Sequence, residues 1–154
     1  MGDFEDAFEE LYRLAYRVAF RLIGRRGEAE DVAQEALARA YVRWARMGAY
    51  PEAWVSRVST NLALDAWRKQ RRHWSSPTTN LSFDASATDR VDLQRALAGL
   101  SKRQREVVAL RYIADLPEET VAAALGCSTG TVKQHASRGL AALRRSTAVS
   151  LQEA

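Results

Sequence analysis

The sequence predicts an all-α fold, two small helical domains joined by a flexible linker. Three observations predict it. Apolar residues recur at intervals of three and four along most of the chain, and no stretch alternates with period two for long enough to form a strand. The three prolines, Pro51, Pro77 and Pro117, fall where an element starts or a linker runs. Residues 73–89 have no apolar period, and nine of these 17 residues are Ser, Thr, Asn or Pro. That composition marks a linker and divides the chain into domains at 1–72 and 90–146. Each part is close to the lower size limit for independent stability.

The elements follow in order. Phe4, Phe8, Leu11, Tyr12, Ala15, Ala19 and Leu22 form one apolar stripe, so the first helix runs from the N-terminus to Gly24 and Gly27. A second helix starts near Glu28. Glu28, Glu30 and Asp31 load its first turn with the negative charge that a helix dipole favours. It places Ala33, Leu37, Ala40, Tyr41 and Trp44 on one face and stops at Gly48. Pro51 opens a third helix, with Trp54, Val58 and Leu62 inward, which leaves through Trp67-Arg68-Lys69-Gln70-Arg71-Arg72. Beyond the linker, a short helix spans Arg90 to Ala98 and ends at Gly99. Ser101 and Gln104 have capping-box spacing for the next helix. Pro117 opens another that ends at Leu125-Gly126, and Ser128 caps a last one reaching about Arg145. The tail after Ser146 is expected to fray.

Charge is unevenly placed. The 154 residues carry a formal net charge of +4. Residues 1–35 hold 5 basic and 9 acidic groups, whereas residues 36–74 hold 8 and 2 and residues 101–154 hold 8 and 5. Two separated basic blocks suggest two contacts with a polyanion, though solvated helix faces would give the same sums. Several classes are excluded. No apolar run reaches the length of a membrane span. The acidic start lacks the apolar core of a signal peptide, and Asp6 breaks the myristoylation pattern that Gly2 begins. A single cysteine, Cys127, with only His73 and His135 beside it, gives no disulfide scaffold and assigns no metal, cofactor or catalytic site. A cytoplasmic protein is expected.

The span from Pro117 to Arg145 is the most informative. A helix of about nine residues, a tight turn at Gly126-Cys127-Ser128 and a longer helix have the spacing of a helix-turn-helix. At 100° per residue, Val132, Ala136, Gly139, Leu140 and Leu143 cluster on one side of the second helix. Thr131, Gln134, Arg138, Ala141 and Arg145 oppose them, flanked by Lys133 and Ser137. Such a face fits a major groove, where Gln pairs with adenine edges and Arg with guanine edges or phosphates. An ordinary helical hairpin with a solvated outer face has the same spacing.

At these residues the sequence resembles a known family. Leu116-Pro117-Glu118-Glu119 and Leu125-Gly126-Cys127-Ser128-Thr129-Gly130-Thr131-Val132-Lys133 resemble region four of bacterial sigma factors, and Leu100 to Val107 resembles the start of that region. Glu30 to Ala36 looks like region 2.2, and Ala53 to Asp65 like regions 2.3 and 2.4. The order, linker position and length resemble the extracytoplasmic-function type, which keeps only regions two and four. There are departures. Pro117 stands where many members have Ser or Thr, and Ala136 and Ser137 replace bulkier residues. The promoter sequence therefore does not carry over from the family.

The resemblance implies roles residue by residue. Asp31, Gln34 and Glu35 would dock on the β′ coiled coil of core RNA polymerase, with the β flap as a second polymerase contact. Asn61 matches a position near a flipped base of the minus-ten element, and Arg57, Arg68, Lys69, Arg71 and Arg72 would neutralise the melted strand. Met47 to Pro51 matches the family's specificity loop. Trp54 reads as core, and Trp67 is open between core and DNA. Lys133, Gln134, Ser137 and Arg138 would read the minus-thirty-five duplex, with Thr131 on a phosphate at the helix start. Promoter DNA and core polymerase are thus the expected partners, and family members are often held by an anti-sigma factor. A sigma factor catalyses nothing itself. An autonomous, dimeric helix-turn-helix regulator would explain residues 101–145 but leave Asp31–Glu35 and Trp54–Asp65 unused. An enzyme built on Cys127 with His73 or His135 lacks an orienting carboxylate.

Overall fold

The computed structural model describes residues 3–73 and 85–152, with side chains described for 3–70 and 92–146. Among the described residues every regular element is helical. The elements are α1 (Phe4–Ile23), α2 (Arg26–Arg43) followed by a 3₁₀ turn (Trp44–Arg46), α3 (Pro51–His73), α4 (Ala85–Ala98), α5 (Lys102–Val108) continued by a π-turn (Ala109–Ile113), α6 (Glu118–Leu125) and α7 (Thr129–Gln152).

Local chemistry sets the boundaries. Gly24 ends α1 with φ 74°, and its N–H bonds the Phe20 carbonyl. Ser101 caps α5 by accepting from the Gln104 N–H at 3.3 Å. Three boundaries differ from expectation. Helix α2 starts at Arg26 rather than Glu28, because the Ala29 N–H bonds the Arg25 carbonyl at 3.0 Å and so takes Gly27 into the first turn. Helix α4 starts at Ala85 rather than Arg90, so the last residues of the expected linker, with helix-favouring Ala85 and Ala87, are helical. Residues 74–84 of that linker lie outside the described residues. Helix α7 continues to Gln152 rather than fraying after Ser146, since 146–152 contains neither glycine nor proline.

Helices α1, α2 and α3 pack as a bundle around Leu11, Ala15, Ala33, Ala36, Leu37, Ala40 and Val55. Three residues depart from the sequence-based expectation or settle it. Tyr41 is 67% exposed, with its ring edge-to-face against half-buried Phe4, and Phe8 is also exposed. Trp67 is buried, which places it in the core. In the C-terminal half, Val107 and Leu110 meet Val121, Ala122, Val132 and Ala136.

The two halves share a core. Leu14, Val18 and Leu22 of α1 and Ala63 and Leu64 of α3 join Leu97, Leu100, Val108, Ala109 and Ile113 in one cluster, and Ala53 of α3 packs with the helix-turn-helix residues. Beside Leu64, much of the contact surface on α3 is cut from small residues. Ala53, Ser56, Thr60 and Ala63 are all buried, at the spacing of one helical face. Polar bonds close the boundary. Arg17 donates to the Ala114 carbonyl at 3.2 Å, Arg21 donates to the Ile113 carbonyl and pairs with Asp115 at 3.0 Å, and Gln94 donates to the Leu22 carbonyl. Asp115 holds φ 56°, the one positive-φ non-glycine residue among those described. Two halves each too small for a full core gain buried apolar area by this docking.

Candidate nucleic-acid interface

The turn between α6 and α7 is built from three residues. Gly126 adopts φ 68°, its N–H bonds the Ala123 carbonyl at 3.4 Å, and the Cys127 N–H bonds the Ala122 carbonyl at 3.0 Å. That is a Schellman ending, and Cys127 supplies its apolar contact by packing on the helix-turn-helix core. Ser128 then caps α7, its hydroxyl accepting from the Thr131 N–H at 3.1 Å. The Thr131 hydroxyl lies 3.0 Å from the Ser128 hydroxyl, so it is held at the helix start.

The faces of α7 follow from this start. Val132, Ala136 and Gly139 are buried, while Lys133, Gln134, Ser137 and Arg138 are exposed together on the outer side, with Arg144 and Arg145 a turn or two beyond. Gly139 allows close packing: a Cβ there would lie 2.5 Å from Cγ2 of buried Val108. Lys133, itself exposed, lies 3.8 Å from the half-buried Glu118, a long and therefore weak ion pair. His135 is half-buried.

The residues expected on α3 form the second group and differ in their surroundings. Asn61 and Lys69 are exposed, and Arg68 pairs with Asp65 at 3.3 Å on the surface. Arg57 is not free: it donates to Glu106 of α5 at 3.1 Å. Arg71 and Arg72 belong to the last turn of α3, and their side chains lie outside the described residues. Arg57, Asn61 and Arg68 are four and seven positions apart, which places them on one helical face. Trp54 is half-buried behind this helix start.

The third group lies on α2. Asp31, Gln34 and Glu35 are exposed, and Glu35 pairs with Arg39 at 2.9 Å. The same face continues into a groove of about 600 Å³ lined by Glu35, Ala38, Arg39, Val42, Arg43, Trp54 and Val58. Val42, 82% exposed, was not singled out from the sequence. The signal was present, because Asp31, Glu35, Ala38 and Val42 repeat at intervals of four and three. Glu106, Arg17 and Arg21 were also missed, since their partners lie 49 to 97 positions away. Among the described residues no group of three or more His, Cys, Asp or Glu is placed to hold a metal ion, and no helix is long and apolar enough to cross a membrane.

Comparison with known proteins gives the same two regions. Residues 7–73 match the model of sigma-70 region 2, and residues 90–143 match that of sigma-70, region 4. The RNA polymerase sigma-E factor of Streptomyces antibioticus is 38% identical over 126 residues, covering 76% of this chain and 69% of that protein. The ECF RNA polymerase sigma factor SigL of Mycobacterium tuberculosis is 33% identical over 144 residues, covering 86% and 79%. Two solved structures share the fold. One is the sigma factor RpoE in complex with the anti-sigma factor NepR from Bartonella quintana (TM-score 0.55, 24% identity, 97% of this chain and 99% of that one). The other is CnrH in complex with the cytosolic domain of CnrY (TM-score 0.58, 22% identity, 94% and 88%). With both regions matched in order, the chain belongs to the ECF RNA polymerase sigma factors, non-enzymatic subunits that direct RNA polymerase to promoters.

Proposed function

We propose that α2 docks this sigma factor on the β′ coiled coil of core RNA polymerase, while α3 and α7 hold one promoter at two places. Asp31, Gln34 and Glu35 present carboxylates and an amide to a basic partner helix, and the adjoining groove around Val42 and Trp54 adds apolar contact. Asn61 reads an unstacked minus-ten base, and Arg57, Arg68, Lys69, Arg71 and Arg72 neutralise the strand around it. Lys133, Gln134, Ser137 and Arg138 enter the major groove of the minus-thirty-five element, with Thr131 at a phosphate. The C-terminal half also meets the β flap. The work is cytoplasmic, where the polymerase is.

The observation that carries this reading is the outward polar face of α7 on a Gly126–Ser128 turn, in one chain with the exposed acidic face of α2. An autonomous operator-binding dimer would use the first and leave the second idle. The two solved neighbours were captured with a second protein, one an anti-sigma factor, which supports a partner of that kind for this chain. The test is selection from a random promoter library by core polymerase loaded with the chain. Two separated sequence motifs are expected in the bound DNA. Enrichment of a single palindromic duplex, without core polymerase, would support the operator-binding reading instead.

A further inference from the structure

One contact between the halves falls on a residue assigned to the promoter strand. Glu106 is 7% exposed, and its two carboxylate oxygens take Arg57 at 3.1 Å and Arg103 at 3.4 Å. Arg57 comes from α3 and Glu106 from α5, so the bond crosses the boundary between halves. A buried carboxylate oxygen on a guanidinium makes the same charge-assisted bond that a phosphate oxygen makes.

We propose that Glu106 stands in for a DNA phosphate at Arg57. Closure of the C-terminal half on α3 and capture of the melted strand by α3 then exclude one another, while the duplex face of α7 stays open. This rests on the reading of α3 as the strand-binding helix. Two further observations support it. The closed boundary is fastened on both sides of the Arg57 contact, by Ala53 and Ala63 packing and by the Arg21–Asp115 pair on α1. The closed form is also too small to span a promoter. A compact chain of this length has a radius of gyration of about 15 Å. Elements about 25 base pairs apart are separated by roughly 85 Å of duplex, at about 3.4 Å per pair. The halves must therefore part before both elements are held, and the Arg57–Glu106 bond breaks when they do. In the closed chain Lys133, Gln134, Ser137 and Arg138 are nevertheless exposed, so duplex contact can come first.

The experiment compares the full chain with Glu106→Gln, without polymerase, using a labelled minus-ten single strand and a labelled minus-thirty-five duplex taken from the selected promoters. Spin labels at Arg13→Cys and Arg145→Cys, in a Cys127→Ser background, report the separation of the halves. The expected result is five- to tenfold tighter strand binding by Glu106→Gln, at the low end of ordinary coupling between sites. Duplex affinity stays within about twofold, and the label distance lengthens. Strand affinity equal to the parent overturns the proposal. If Glu106→Gln does not fold, Arg21→Ala with Asp115→Ala opens the same boundary from α1 and carries the same expectation, and unchanged strand binding there overturns it equally. A parent chain that, loaded on core polymerase, holds neither DNA removes the strand-binding face itself and this proposal with it. A promoter-competent parent beside a silent variant removes only the Glu106 substitution for phosphate.

Discussion

Gly139 shows how one position sets the packing of α7. A methyl group there would meet Cγ2 of Val108 at 2.5 Å, and Val108 is buried and stiff at χ1. Gly139→Ala therefore destabilises the chain by about 1–3 kcal/mol in denaturant unfolding, despite the better helix propensity of alanine. In a Val108→Ala background the clash is gone and the same change becomes neutral or stabilising, which a double-mutant cycle reads directly. Arg138 is a different case, exposed and unburdened by packing. Arg138→Ala costs about 1–3 kcal/mol of promoter affinity and relaxes sequence choice at one base pair, measured across single-base promoter variants. A loss spread evenly over all variants would assign Arg138 to a phosphate. The residues of this face were legible in the sequence, because a wheel of α7 separates Val132 and Ala136 from Gln134 and Arg138 without knowledge of any other helix. Arg57 was legible as a cation but not as a partner of Glu106. No periodicity links positions 49 apart.

Helices carry their own start and stop signals, and most could be read. The α6–α7 turn rests on Gly126 at φ 68°, a conformation that costs a side-chain-bearing residue roughly 1–2 kcal/mol. Gly126→Ala therefore lowers the unfolding free energy by about 1 kcal/mol, with Gly126→Asn losing less, as thermal denaturation of the two variants shows. On α2 the exposed acidic face is the proposed docking surface. Asp31→Arg reverses one charge without touching the core, so core polymerase affinity falls several-fold in a titration while the melting temperature is unchanged; equal affinity would remove Asp31 from the interface. Helix α1 was only half legible. Its stripe of Leu11, Ala15 and Ala19 was visible, but Leu14 and Val18 are buried by the C-terminal half, and α1 alone does not show that it has two covered sides. Phe8 and Tyr41 erred in the other direction, apolar in sequence yet exposed at the rim of the bundle.

At the scale of the molecule, the sequence reading predicted two modules on a tether, and the described residues show the modules docked through a common core. The docking was hidden because much of its surface on α3 is Ala53, Ser56, Thr60 and Ala63, residues too small to register as an apolar stripe, and Leu64 alone does not mark a second covered side. The proposed function depends on both halves acting on one DNA while bound to polymerase. Run-off transcription tests that most directly: core polymerase, a template bearing the selected promoter, and the chain added or withheld. The account predicts a transcript of one defined length that appears only with the chain. Binding of duplex by the chain alone, with no transcript at any ratio of chain to core, would contradict it.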